Sequence, residues 1–323
     1  MLGPDGVSEL YPTIDGGTTF YMDMSLDDPT KDPCFSYDHI NMEPKQGLPA
    51  KAERKTEKGV TFYVTEAPFC SYNSGTPPGK SLRLGIYASK GSKGQKQKHT
   101  WREKPDFLYD TKGIRNHELT GFIRMDGDLN AGITDEKKMI HKSLAMKVCG
   151  AKEDNGRSLI ETCYPINSKD NVRANYDYDH FPYLAVDNKD AGGAVRQFFS
   201  GDYCEENKWV GLKHVHIVSD DKKQSTNKLY VDINPFDSNG KPRNEWKLKA
   251  IWIDKGTLKT KENKETGKIE GYGGIPCTWR SQVDKFRIDG WKYVSFTLLS
   301  IREIDPHAQP SIQENITKSI NPL

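Results

Sequence analysis

The chain has 323 residues, of which 35% are hydrophobic and 10% aromatic, a composition compatible with one large folded domain or two smaller ones rather than a disordered chain. Its 47 basic and 45 acidic residues nearly cancel, which argues against a dedicated nucleic-acid-binding protein. No apolar run approaches the ~20 residues that cross a bilayer, so we predict no membrane span. The motifs of P-loop, serine-hydrolase and zinc-protease sites are absent from the sequence.

The predicted elements are short strands that follow one another along the chain. Period-two alternation, typical of a half-buried strand, is clear where Leu229, Val231 and Ile233 alternate with more polar neighbours. In chain order the strand-like segments are YPTIDGGTTFYMDM, GVTFYVTEAPF, SLRLGIYAS, NHELTGFIRM, HKSLAMKVCG, RSLIETCY, WVGLKHVHIV, KLYVDINPF, EWKLKAIWID and FRIDGWKYVSFTLLSIREI. Turn-rich loops separate them, and no long helix intervenes. We therefore predict an all-β fold, a two-sheet antiparallel jelly-roll sandwich, with residues 1–305 as a single domain and 306–323 as a C-terminal extension.

The cysteines bear on the cellular compartment. Six cysteines are present without a Cys-x-x-Cys pair, which disfavours zinc-ribbon and thioredoxin-type sites. Three disulfides in an exported protein are the favoured interpretation, and six unrelated buried thiols are the alternative. Cys149 and Cys163 flank the turn EDNGR and are expected to lie nearly opposite each other, so we predict a disulfide between them. A glycosylation sequon at Asn315 adds support for an extracellular or cell-surface location.

A broad family of exported archaeal proteins with a concanavalin A-like β-jelly roll resembles this chain in the segments YPTIDGGTTFYMDM, NHELTGFIRM, NVRANYDYDH, KWVGLK, EWKLKAIWID and FRIDGWKYVSFTLLSIREI. That family is similar in fold to jelly-roll polysaccharide lyases. The resemblance covers the chain from about Tyr11 to Ile304. It implies a concave groove in which Arg, His or Gln, Lys and Tyr side chains hold an acidic polymer.

Cleavage of a uronic-acid polymer by β-elimination needs a group that neutralises the C5 carboxylate, a base and an acid. The planar guanidinium of Arg173 suits the carboxylate. Imidazoles titrate near neutral pH and phenols can donate a proton, so the candidate bases and acids are His180, His214, His216, Tyr176, Tyr178 and Tyr230. We assign the catalytic roles to Arg173, His180 and Tyr230.

The predicted substrate-binding residues come from the polar faces of strands. Lys147 and Tyr230 alternate with apolar neighbours, so they are expected to face away from the core. Lys213 would add positive potential, although the parity of its strand is ambiguous without a β-bulge. We predict that Lys147, Lys213 and His216 bind substrate in one groove with the catalytic residues. The alternative for each is an ordinary outer-face or core polar residue.

The resemblance also implies a structural ion, because jelly rolls of this type often hold calcium between their first and last strands. Asp23 in FYMDM and Asp289 in FRIDG stand at comparable places, and we predict that they bind a calcium-type ion. Simple solvation of both carboxylates is the alternative.

Two functional hypotheses follow. The first is an exported carbohydrate-active protein that recognises an anionic polysaccharide, with or without cleavage by β-elimination. The second is a non-catalytic cell-surface or matrix protein that uses the same fold for adhesion or self-assembly. An open groove in which the assigned residues converge would favour the first, and a filled concave face would favour the second.

Overall fold

The computed structural model describes residues 1–38, 51–70, 79–87, 113–129, 131–132, 143–150, 158–161, 172–174, 176–177, 197–199, 206–255, 276, 278, 280–281 and 283–312. In these ranges a short 3-10 helix spans Pro29–Lys31. The strands are β1 (Thr19–Tyr21), β2 (Phe35–Asp38), β3 (Glu53–Glu57), β4 (Val60–Glu66), β5 (Phe69–Cys70), β6 (Gly79–Tyr87), β7 (His117–Asp128), β8 (Ser143–Gly150), β9 (Ser158–Glu161), β10 (Val172–Ala174), β11 (Tyr176–Asp177), β12 (Gln197–Phe199), β13 (Trp209–Val218), β14 (Ser225–Asp232), β15 (Lys247–Asp254), β16 (Val283–Asp289) and β17 (Trp291–Glu303).

The strands form two main sheets. An eight-stranded sheet runs in the order β15-β14-β13-β7-β17-β4-β3, with β1 also paired to β17. A seven-stranded sheet runs in the order β11-β9-β8-β16-β6-β2, with β5 also paired to β6, and β10 and β12 form a separate ladder. The described pairings are antiparallel. The predicted all-β, two-sheet antiparallel sandwich is therefore confirmed.

The chain crosses repeatedly from one sheet to the other, which is the jelly-roll connectivity. In the seven-stranded sheet β16 lies between β6 and β8, while in the eight-stranded sheet β17 lies between β4 and β7. Only Gly290 separates β16 from β17, and its φ of 81° lies in the left-handed region that glycine adopts without a Cβ clash. This glycine therefore allows the chain to turn from one sheet directly into the other.

The main core lies between the two sheets. Alternate residues of each strand point inward, and they bury side chains such as Leu119, Leu212, Phe286 and Phe296. The Phe296 ring lies 5.5 Å from that of Phe35, measured between ring centroids. Burying each such apolar side chain contributes about 1.5–3 kcal/mol, so this layer is a major source of the fold's stability.

The outer face of the eight-stranded sheet is also covered. A second apolar cluster joins Phe122, Val215 and Tyr230 on this face to Leu10 and to other residues of the first segment of the chain. We call this segment, residues 1–13, the strap. The Ser311 amide donates to the Leu10 carbonyl at 2.7 Å, so part of the predicted C-terminal extension also packs here. The central strands are consequently buried on both faces, as the burial pattern of β13 shows.

The β8–β9 hairpin bears on the predicted disulfide. Its register pairs Val148 with Ser158 and Ala145 with Glu161. Cys149 therefore lies at the turn end of the ladder, whereas Glu161, which closely precedes Cys163, lies towards its other end. The near-opposition expected from the sequence is not the register observed. Cys163 lies outside the described residues, so the disulfide itself stays a prediction.

Among the described residues, no helix has the length and apolar character needed to cross a membrane.

Candidate functional site

Two rows of side chains cross the outer face of the eight-stranded sheet. Register pairing places neighbours from β14, β13, β7 and β17 side by side in each row. The first row consists of Lys228, Val215, Glu118 and Arg302, and the second of Tyr230, Lys213, Thr120 and Ser300. We call these the polar rows. They place three cations and one carboxylate beside the apolar side chains of the outer-face cluster.

Buried charges within the polar rows form a compact network. The Lys213 ammonium donates to Glu118 Oε1 at 2.6 Å and to the Thr120 hydroxyl at 2.8 Å. The Arg302 Nη2 atom lies 2.9 Å from the same Glu118 oxygen. Burial alone would raise the pKa of Glu118, but the positive charges of Lys213 and Arg302 hold it below its ordinary value. The carboxylate therefore stays charged because two cations compensate it.

The strap closes this network from above. The amides of Leu10 and Tyr11 donate to Glu118 Oε2 at 3.1 and 3.3 Å. In return, Lys213 donates to the Ser8 carbonyl at 3.1 Å, and Arg302 donates to the Tyr11 carbonyl at 3.1 Å. Backbone groups of the strap thus satisfy charged side chains that have no access to water, with Lys213 only 1% exposed.

An open cleft of about 500 Å³ adjoins the strap. Its floor comes from β13 and β14, and one wall comes from the segment after β17. It is lined by Tyr11, Ile217, Thr226, Lys228, Pro306, Ala308, Gln309, Pro310 and Ile312. The Lys228 ammonium donates to the Tyr11 hydroxyl at 2.7 Å. The cleft therefore offers a cation, hydroxyls and an amide beside apolar ring surfaces, a combination suited to a polar ligand with apolar faces.

A histidine cluster lies on the inner face of the same sheet. The rings of His117 and His216 are 5.2 Å apart between centroids, and those of His214 and His216 are 6.3 Å apart. The His117 Nε2 atom lies 2.8 Å from Asp284 Oδ2, and His216 Nδ1 lies 2.8 Å from the Asn227 side-chain oxygen. Neither ring nitrogen of His214 makes a hydrogen bond of normal geometry with the described residues.

Burial is the main influence on the pKa values of His214 and His216. It lowers the pKa of His214 well below the usual value, and the positive charges that His216 and His117 would carry add to the effect. Burial and His117 together lower the pKa of His216 to about 3. At neutral pH both imidazoles are therefore neutral groups inside the sandwich, without contact with solvent.

The structure separates the predicted site residues. Lys213 and Tyr230 are direct cross-strand neighbours, as a common groove requires, but both are buried beneath the strap and its neighbours. His216 points into the sandwich, on the opposite face of β13 from Lys213. Lys147 lies in β8 of the other sheet and Arg173 in β10 of the two-stranded ladder. His180 lies outside the described residues.

The predicted calcium ligands do not fit a shared ion site. Asp289 is fully buried, and its carboxylate pairs with Arg83 at 3.1 Å and with Arg287. Asp23 is exposed and accepts hydrogen bonds from the amide and hydroxyl of Ser25. Within the described ranges, no three His, Cys, Asp or Glu side chains are arranged to hold a metal ion. Two guanidinium groups already neutralise Asp289, so we derive no role for calcium from this pair.

The residues that organise this face, Glu118, Thr120, Arg302 and Tyr11, were not among the predicted site residues. Alternation in NHELTGFIRM places Glu118 and Thr120 on one face, and this signal was available from the sequence. Arg302 and Tyr11 carry no comparable local signal. Their roles depend on contacts between distant parts of the chain, which periodicity cannot show.

Comparison with known proteins adds little at this level of similarity. No protein-family model matches the chain, and no curated protein matches it. Among solved structures, the chain is similar to basic winged bean lectin with Tn-antigen (8% identity, TM-score 0.34, covering 88% of this chain and 97% of the lectin). It is similar to winged bean acidic lectin complexed with methyl-α-D-galactose (8%, TM-score 0.38, 88% and 97%) and to the globular domain of T. cruzi calreticulin (8%, TM-score 0.34, 83% and 87%). Similarity this low carries no functional argument, and function has to be argued from the site.

Proposed function

We propose that the protein is an exported carbohydrate-binding protein that takes an anionic polysaccharide into the cleft beside the strap. The observation that carries the proposal is the pairing of the Lys228 ammonium with the Tyr11 hydroxyl on the floor of an open cleft of about 500 Å³. An ammonium group matches a uronate carboxylate, and a charge-assisted hydrogen bond to it is stronger than a neutral one. We also propose that the protein is located outside the cell.

The lining of the cleft supports a sugar ligand over a purely ionic one. Thr226 and Gln309 supply polar groups beside Lys228, while Pro306 and Pro310 supply flat apolar surface. Sugar rings present hydroxyls at their edges and C–H groups on their faces, so a mixed lining of this kind complements them. The openness of the cleft to solvent suits a polymer that continues beyond the contacting unit.

A second candidate is a non-catalytic surface or matrix protein, and the covered outer face favours it. Tyr230, assigned as the catalytic acid, is fully buried, and the histidines of β13 lie inside the sandwich. A general acid or base must reach the substrate within about 3 Å, or through one water. Binding without turnover is therefore the function that the described residues support best, and eliminative cleavage is an additional outcome for the test.

Binding to polygalacturonate and alginate, with neutral dextran as reference, tests the proposal. We expect Lys228→Ala to weaken uronate binding by about tenfold or more, because one lost charged hydrogen bond is worth roughly 1.5–3 kcal/mol. Lys223→Ala is the matched control, since Lys223 lies in the turn of the same hairpin and its side chain is 82% exposed. Equal effects of the two substitutions would contradict the cleft assignment. Absorbance from an unsaturated product in the same mixtures would reveal cleavage.

A further inference from the structure

The charges of the strap complement those of the face beneath it. The polar rows carry Lys213, Lys228 and Arg302 against the single carboxylate of Glu118. The strap brings its own acidic groups to this cationic face. The Glu9 carboxylate lies 3.3 Å from the Arg302 guanidinium. Burial raises the pKa of Asp5, while the positive charges of Lys213 and Arg302 act to lower it. The strap thus places acidic side chains against the cationic side chains of the polar rows.

The strap contacts the polar rows through oxygen acceptors, as a bound polymer would. Lys213 and Arg302 donate to its carbonyl oxygens at Ser8 and Tyr11, and Arg302 also donates to the Thr13 hydroxyl at 2.9 Å. A uronate polymer presents carboxylate, hydroxyl and ether oxygens, which can accept hydrogen bonds from the same cations. Lys213 and Arg302 therefore do not require a peptide as hydrogen-bond acceptor, and oxygen atoms of a polymer could accept the same hydrogen bonds.

The strap is attached without a strand ladder. Its described β-bridges are an internal one, Leu2 with Ser8, and one at its end, Thr13 with Ile304. The ladders of β7, β13 and β17 are complete without it. Displacement of residues 1–12 would uncover the buried side chains of Val7, Leu10 and Tyr11 and break the hydrogen bonds of the strap to the sheet, but it would leave the strand ladders intact. Opening the strap therefore costs free energy, which the contacts made by the polymer must offset.

From these observations we infer that the polar rows are a second, latent binding surface for a uronate polymer, which the strap occupies until the polymer displaces it. The inference rests on the proposed function, since Tyr11 belongs both to the strap and to the lining of the open cleft. A polymer bound at Lys228 therefore lies beside the strap. Displacement would extend its site across the sheet from Lys228 towards Lys213 and Arg302.

Hydrogen–deuterium exchange on the full-length wild-type protein tests this directly. The Leu10 and Tyr11 amides are protected by Glu118 in the free protein. With saturating polygalacturonate we expect their exchange to become faster, since the polymer takes the place of the strap. Unchanged or slower exchange with polymer bound would overturn the latent site while leaving the cleft intact. Binding to poly-glutamate without binding to polygalacturonate would also overturn it, because the occupant would then be a peptide.

Weakening the strap gives an independent readout. Leu10 is buried against the outer-face cluster, and Leu10→Ala should raise the apparent affinity for polygalacturonate by about tenfold, since a larger fraction of molecules becomes competent to bind. Leu2→Ala is the control, because Leu2 is 66% exposed on the same segment, and it should leave affinity unchanged. Adding Lys213→Met to Leu10→Ala should abolish the gain.

The outcomes separate the two proposals. Equal affinity of wild type and a folded Leu10→Ala variant would overturn the latent site but not the cleft. Absence of uronate binding in both would overturn both proposals together. Cooperative unfolding of each variant is checked first, and if Leu10→Ala does not fold, the exchange experiment on the wild-type protein decides.

Discussion

Lys213 and His214 are adjacent in the chain, yet they are buried on opposite sides of the same strand. Lys213 lies beneath the strap, where its ammonium donates a hydrogen bond to Glu118 Oε1 at 2.6 Å. His214 points into the sandwich beside His216. One strand therefore carries a compensated charge on its outer face and a neutral imidazole on its inner face, and different solution conditions should disturb the two.

Replacing Lys213 tests the outer-face network. Lys213→Met would leave Glu118 with Arg302 as its remaining cationic partner in a buried setting, so we expect a loss of about 3–5 kcal/mol in the free energy of unfolding. Urea denaturation measures it. The double variant Lys213→Met with Glu118→Gln should recover part of the loss, because it removes the uncompensated carboxylate. Wild-type stability of the single variant would contradict the network.

Acid should destabilise the protein through the inner histidines. The folded-state pKa of His214 lies well below the ordinary 6.5, and that of His216 is about 3, so the unfolded chain binds protons that the folded protein does not. Their contribution to the free energy of unfolding is complete above about pH 6.5 and declines as the pH falls below that value. We expect a loss of about 1.4 kcal/mol per pH unit for each histidine.

Urea denaturation between about pH 8 and 5 measures this decline, a window that lies above the usual titration range of carboxylates. His214→Leu should reduce the slope of the unfolding free energy against pH by the contribution of one histidine, about 1.4 kcal/mol per pH unit. A stability that stays level across the window would show that the two imidazoles titrate normally in the folded protein.

Replacing Asp289 tests the buried charge pairs of the seven-stranded sheet. Its buried carboxylate compensates Arg83 and Arg287, so Asp289→Asn should cost about 3–5 kcal/mol by leaving guanidinium charge uncompensated. Asp23→Asn is the control, since Asp23 is exposed, and it should change the unfolding free energy little. Similar losses in both variants, reversed by added calcium, would instead restore the predicted ion site.

Gly121 marks a close approach across the core. A Cβ atom at this position would lie 2.5 Å from Leu299 Cδ2 and 2.7 Å from Phe286 Cζ, so the two sheets pack against its bare backbone. We expect Gly121→Ala to destabilise the fold by about 1–3 kcal/mol through overpacking. Thermal unfolding measures it, and combination with Phe286→Leu should reduce the penalty. An unchanged midpoint in the single variant would mean that the core relaxes freely.

Local alternation was sufficient to predict the sandwich but not the covering of its outer face. The segment VSFTLLSI carries apolar residues on both faces, and β17 is accordingly central and buried on both sides. The ambiguous parity of β13 has the same cause. Its register against β7 and β14 is continuous without a bulge, and both of its faces are buried. A period-two pattern disappears when neither face meets water.

The candidate site shows the same limit. Lys213 and Tyr230, predicted from polar strand faces to line one groove, are cross-strand neighbours in the hairpin of β13 and β14. Their coverage by the strap could not be predicted, since it depends on Glu118 and Arg302 meeting residues near Leu10. Such contacts leave no periodic trace in the sequence.

The span of the contact between Arg302 and Tyr11 has a consequence for biosynthesis. The two residues are separated by 291 positions, so the strap emerges from the ribosome long before its guanidinium partner exists. At typical synthesis rates this interval is roughly 15–60 s. During that time Leu10 and its neighbours are exposed apolar groups on a nascent chain. The strap is therefore among the last segments of this chain to reach its native contacts.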